Sequence, residues 1–240
     1  SERLHAIDPD VVIYGEGWAA SAPAFPEDKI ALKVNTHMLD KVGAFSDNIR
    51  DAVRGPLGCE NAGFMDGVEG NKANVEFGIA GGVEHPQVSV PFWTNNPLQH
   101  VSYVSCHDDH CLRDRLEEAT KATEAERLKM VKLAQTAVYT SQGIPFIFAG
   151  EELYRHKQGV KNSYCSPDSI NAIDWTYKTQ YKDLVDYYAD LAAIRHAHPG
   201  FCLGDADLVR EKLEFIDVDD PCVVAFRING LEGIDSAKSL

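Results

Sequence analysis

Four short apolar runs constrain this 240-residue chain more than any other feature: Val11–Tyr14, Val42–Phe45, His100–Cys106 and Ile144–Gly150. Each stops at glycine or at polar residues. Val11-Val12-Ile13-Tyr14 is continuously apolar and β-branched, the pattern of a strand buried on both faces. The run from Ile144 to Gly150 reads the same way, with Pro145 tolerated near its start because that position need not donate to a ladder. Between the runs lie helices or long loops. Residues 19–41 have no dominant period, and Pro23 and Pro26 break any helix there early. Residues 49–55 fit a helix or an extended arm, 56–82 read as Gly- and Asn-rich loops with short helical pieces, and 151–177 as another long polar loop. Thr123 and Glu126 have capping-box spacing ahead of an apolar stripe of Leu128, Val131, Ala134 and Val138, in a helix ended by Gly143. A last helix spans about 181–196, with Leu184, Tyr187, Leu191 and Ile194 on one face. Tyr139 and Tyr187 are read as core.

Strands alternating with helices and long loops indicate an α/β fold with a parallel sheet. A parallel strand delivers its functional residues from its carboxyl end. Three of the four ends here are polar: Glu16, His107-Asp108 and Glu151-Glu152. A closed eight-stranded β/α barrel takes about 250 residues. Four strands in the first 200 therefore read as half of one. Past Phe201 the character changes to alternation around Glu214–Val218, then an apolar run at 222–228 and an Asn229-Gly230 turn, the mark of an antiparallel sheet beginning. The division expected is residues 1–200, half a (β/α)8 barrel, and 201–240, the start of a C-terminal β-sandwich domain. Ser1–Pro9 resembles the end of a helix and its turn, so the natural N-terminus is expected upstream.

The net charge of −14 argues against nucleic acid or an anionic membrane as partner and leaves neutral polyhydroxylated ligands open. No apolar run approaches the roughly 18–20 residues of a membrane span. The six cysteines lack CxxC spacing and read as separate thiols, which does not fix a compartment.

Glu16 stands between Gly15 and Gly17, with Trp18 following. It is either a catalytic acid beside a sugar-stacking indole or an exposed glutamate in a Gly-rich turn. Glu16 and Asp108 share one rim, and two carboxylates across a sugar are what glycoside hydrolysis uses. Two solvated acids are the plain alternative. Cys106-His107-Asp108-Asp109-His110-Cys111 is dense in metal-ligand types, but neighbours on an extended strand end point to opposite faces and no second ligand cluster follows at a matching distance. Trp18, Phe92, Trp93, Tyr164 and Trp175 lie in loops, available to stack on sugars or to pack loops to the core.

Ile13-Tyr14-Gly15-Glu16-Gly17-Trp18 resembles the strand-five motif of the α-amylase superfamily of glycoside hydrolases (family 13) in its pullulanase form. Tyr103-Val104-Ser105-Cys106-His107-Asp108-Asp109 resembles the strand-seven motif, and Gln142–Phe146 with Ala149-Gly150-Glu151-Glu152 resembles strand eight. Asn162-Ser163-Tyr164, Pro167–Asn171 and Ile173-Asp174-Trp175 are similar to the loop that follows in type I pullulanases. The resemblance implies strands five to eight, the C-terminal half of the TIM barrel, and retaining hydrolysis of α-1,6 branch links in pullulan, glycogen or starch fragments. It casts Glu16 as general acid/base, Asp108 as transition-state stabiliser, His107 as a donor to sugar hydroxyls, and Trp18, Tyr164, Asp168 and Asn171 as subsite residues. No cofactor is implied as required; calcium occurs in some relatives, but no cluster here demands it.

Asp109 stands where the family usually has Asn. The motifs of strands three and four, the latter carrying the nucleophilic Asp, have no match in the chain and belong before Ser1. The expectation is an inactive or nearly inactive half site, with two open sheet edges completed by a longer parent chain or by self-association. The alternatives are a non-catalytic carbohydrate-binding remnant and a metal-dependent hydrolase using His107 and His110.

Overall fold

The computed structural model describes residues 1–19, 21, 22 and 24–240. Pro23, read as a helix breaker, lies outside the described residues.

A four-stranded parallel sheet forms from β1 (Ile13–Gly15), β2 (Val42–Phe45), β3 (His100–Ser102) and β4 (Ile144–Pro145) in the order β1-β2-β3-β4. The register pairs Ile13 with Val42, Ala44 with His100, and Val101 with Ile144. The two inner strands are buried nearly throughout, as a parallel sheet requires.

The outer two differ from expectation. Val12 is 56% exposed and Tyr14 47%, so the first run is not buried on both faces. Among the described residues it pairs on one side alone, and Tyr14 meets the Phe45 ring edge to face, 5.4 Å between centroids. At the other edge Ile144–Phe148 is half-buried, and its ladder spans just two residues. Pro145 offers no N–H to extend it. The third run leaves the ladder after Ser102, although Tyr103, Val104 and Ser105 stay buried.

The helices are α1 (Glu2–His5), α2 (Asp47–Arg54), α3 (Lys72–Ile79), α4 (Leu112–Ala119), α5 (Glu124–Thr140), α6 (Asp168–Asn171), α7 (Tyr177–Gln180), α8 (Lys182–Ala197) and α9 (Ala206–Lys212). Residues 47–54 are thus a helix and not an arm. The Ser46 side chain caps it, and Gly55 ends it at φ 78°, where a Cβ would come within 2.2 Å of the Asn61 carbonyl oxygen. α3 is one of the short helical pieces expected in 56–82, its form fixed by burial of Val75, Phe77 and Ile79. In α5 the capping box forms as expected, Thr123 N–H donating to Glu126 Oε2 at 2.7 Å. Val131, Ala134 and Val138 are buried and Leu128 half-buried; the helix stops at Thr140, before Gly143.

The inner face of α8 is Leu184, Tyr188 and Leu191. This corrects the stripe expected from the sequence. Tyr187 is half-buried and hydrogen-bonds Thr136 Oγ1 at 2.6 Å, while Ile194 is 47% exposed. α8 packs on α5, and Tyr188 meets Tyr139, itself half-buried, edge to face.

β5 (Leu213–Ile216) and β6 (Ala225–Ile228) pair antiparallel, Leu213 opposite Ile228. The segment joining them is 217–224. Asn229-Gly230 follows β6 instead, and the chain returns to it: Ile228 and Leu240 exchange N–H···O bonds at 2.8 and 2.9 Å. Phe215, Ile228 and Leu231 share one core with Ile49, Leu116, Val138 and Leu184. Each such fully buried side chain contributes about 1.5–3 kcal/mol over exposure. Among the described residues no helix is long and apolar enough to cross a membrane.

Candidate active site

β1 ends at Gly15, and Glu16 follows directly with its carboxylate exposed. On the far side of β2, the chain beyond β3 carries His107 to the same rim, with Nε2 3.8 Å from Glu16 Oε1 and both side chains solvent-facing. An exposed pair at that distance adds almost nothing to stability. Its importance is positional: two strand ends separated by a third converge on one spot.

Asp108, also exposed, follows His107. Asp109 adopts φ 57°, a left-handed conformation that Asp and Asn tolerate best. Its N–H donates to Asp108 Oδ1 and to Asn162 Oδ1, both at 3.1 Å, tying the β3 end to the loop after β4. Its own Oδ1 accepts the His110 N–H at 2.8 Å. An Asn side-chain oxygen fills that acceptor role equally well, so Asp109 in place of the expected Asn keeps the turn.

Below the rim lies a group whose role sequence position alone did not reveal. Glu151 was read as part of a polar strand end, yet it is 4% exposed. Ser105 Oγ donates to its Oε1 at 2.6 Å and Gln135 Nε2 to its Oε2 at 3.2 Å. Burial pushes its carboxyl up to about 7 against the lowering effect of the Ser105 and Phe148 hydrogen bonds and of Arg54. It fastens the start of the segment that carries His107.

The loop after β4 presents Tyr164, 85% exposed, and Asp168, exposed at the start of α6. Asn171 is turned into its own loop. Its Nδ2 donates to the carbonyls of Ser163 (2.6 Å) and Ser166 (3.0 Å), and its Oδ1 accepts from Ser163 Oγ at 2.7 Å. Trp18 is half exposed beside the Lys33 ammonium, 5.6 Å from the ring centre. Phe92 and Trp175 are exposed, whereas Trp93 is buried and donates to Asn48 Oδ1 at 3.2 Å.

The metal-type run splits. His110 is buried and faces Glu118 Oε2 at 3.2 Å and the Gly159 carbonyl at 3.0 Å, away from the His107–Glu16 pair. Among the described residues the one cluster of ligand types within mutual reach is Asp114, Glu117 and His156. Its carboxylates already serve protein donors: Asp114 takes the Lys157 and Gly159 N–H groups, and Glu117 pairs with Arg113 and Arg127. All six cysteines are unpaired.

A cavity of about 720 Å³ opens at the amino ends of the strands, lined by Val11, Val12, Met38, Leu39, Gln99 and Ile144. It is at the opposite end from Glu16. Glu16, His107 and Asp108 sit on the carboxyl rim, the end from which parallel strands present functional residues.

No protein-family model matches the chain. A pullulanase from Bacillus subtilis strain 168 is 33% identical over 243 residues, covering 100% of this chain and 33% of that protein. The crystal structure of apo pullulanase from Paenibacillus barengoltzii superposes with a TM-score of 0.94 at 39% identity, over 99% of this chain and 36% of its own. Type I pullulanase from B. subtilis complexed with maltose gives 0.92 at 32% identity, over 99% and 33%. Along its whole length the chain is similar to these pullulanases, an α/β structure with a parallel sheet like theirs, and it spans about a third of their length.

Proposed function

We propose, with that likeness as the premise, that the chain carries the acid/base side of a retaining α-1,6-glucosidase site. In this reading Glu16 protonates the glycosidic oxygen as the link breaks, then takes a proton from the water that releases the sugar. Asp108 stabilises the oxocarbenium-like transition state, and His107 donates to a sugar hydroxyl. Trp18, Tyr164 and Asp168 form subsites for an α-glucan, the class to which the maltose bound by the B. subtilis relative belongs. Asn171 holds the loop that presents Tyr164. The observation that carries the reading is the approach of His107 to Glu16 across the end of β2, which sets one rim from separate strands.

Residues 1–200 are then strands five to eight of a barrel and 201–240 the beginning of a β domain. The nucleophilic carboxylate belongs to a strand-four motif that these 240 residues do not contain. A retaining site needs it roughly 5 Å from the acid. Acid catalysis alone supplies on the order of 10²- to 10⁴-fold. Reducing-sugar release from pullulan by these 240 residues should therefore be far below that of a full-length relative; a comparable rate would end the proposal. The exposed Trp18 and Tyr164 also favour a second reading, carbohydrate binding without catalysis. Adding a separately expressed upstream part that holds the strand-four Asp separates the two, because only the first predicts recovered hydrolysis.

A further inference from the structure

The geometry points to Lys33 as a positioning residue that sets the Trp18 indole, and with it the Glu16 turn, against an α-glucan. This rests on the reading of Trp18 as a sugar platform. Two parts of Lys33 grip the turn. Its backbone N–H donates to the Gly17 carbonyl at 2.8 Å, and Gly17 sits at φ +74° where a Cβ would lie 3.1 Å from Lys33 N. Only glycine lets the two segments come so close without strain. Its ammonium then lies over the Trp18 ring, 5.6 Å from the centroid, within cation–π range.

The ammonium is itself held by rigid parts of the fold. It pairs with Asp47, the first residue of α2, and bonds Asn48 Oδ1 at 3.2 Å. That oxygen also accepts from Trp93 Nε1, and Asn48 Nδ2 donates to Asn74 Oδ1 at 3.1 Å. Trp93, 5.8 Å from the same ammonium, is buried and stacks on His100 of β3 at 5.3 Å. One cation thus links an exposed indole to the core through β3 and the start of α2. With the ammonium over its ring, Trp18 keeps 47% of its surface exposed.

The test uses Lys33→Met, which keeps length and backbone but loses charge, and Lys33→Arg, which keeps charge. The readout is the Trp18 indole N–H resonance, identified with Trp18→Phe, in free protein and during titration with maltotetraose. The proposal expects Lys33→Met to move the Trp18 signal in free protein, leave Trp175 in place, and weaken maltotetraose about two- to fivefold, with Lys33→Arg near wild type. Asp47→Asn, which frees the ammonium without touching Lys33, should move the same resonance and guards against a misfolded Lys33→Met. A Trp18 signal unmoved in Lys33→Met and Asp47→Asn overturns the inference. Maltotetraose that leaves wild-type Trp18 unmoved overturns the sugar-platform reading instead, and the free-protein shift still decides the role of Lys33.

Discussion

Replacing Glu151 by Gln should change how stability depends on pH, with a sign opposite to that of most carboxylates. Glu151 is fully buried, and desolvation lifts it from 4.5 to about 7. Below pH 4.5 the folded and unfolded chains both hold its proton. Between 4.5 and about 7 the unfolded chain has released it and the folded chain keeps it, so folding binds a proton and stability falls as pH rises. At about 1.4 kcal/mol per unit, the full span costs about 3 kcal/mol by pH 7.

His100 works the other way. Burial, aided by Lys33, drives it from 6.5 down to about 3, so between those values the unfolded chain binds the extra proton and stability rises with pH. From pH 4.5 to 6.5 the two slopes oppose one another. Glu151→Gln removes one of them. The amide is neutral, Ser105 Oγ still has an oxygen to donate to, and a flip of the Gln135 amide turns its unpartnered Oε1 toward the new NH2. Urea unfolding of both proteins at pH 5, 6, 7 and 8 isolates the carboxyl as the difference between their curves. That difference should move toward the variant by about 1.4 kcal/mol per unit up to pH 7 and level off above it. Parallel curves would show that Glu151 is ionised in the folded protein and refute the reasoning.

Asp109→Asn should change the unfolding free energy from urea titration by no more than about 0.5 kcal/mol, since acceptor and left-handed backbone both survive, whereas Asp109→Val should cost about 1–3 kcal/mol; equal losses would count against the turn described. The free edges of β1 and β4 and the apolar amino-end cavity should make the isolated 240 residues associate, and light scattering at micromolar concentration showing only monomer would contradict that.

What the sequence disclosed, and what it did not, follows physical lines. Apolar runs ending in Glu16 and His107 announced the parallel strands and their rim, because strand burial and carboxyl-end chemistry are local patterns. Thr123 and Glu126 announced α5 for the same reason. Burial of Val12 and Tyr14 could not be inferred locally, since it depends on whether a neighbour covers the edge. The inner face of α8 was misassigned because Tyr187 and Tyr188 are equally apolar by type, and only packing on α5 chooses between them. Glu151 reads in sequence as part of a polar strand end; its buried partners are Ser105 and Gln135, 46 and 16 residues away. Asn171, cast by the resemblance as a subsite residue, braces its own loop through hydrogen bonds to Ser163 and Ser166 that composition does not encode.

Glu16 rides on the outermost strand of the sheet. Among the described residues one flank of β1 is paired with β2 and the other has no partner strand, so whatever strand lies against that flank also stiffens the residue at its tip. Closing the sheet and fixing the Glu16 carboxylate at its rim are thereby thermodynamically coupled.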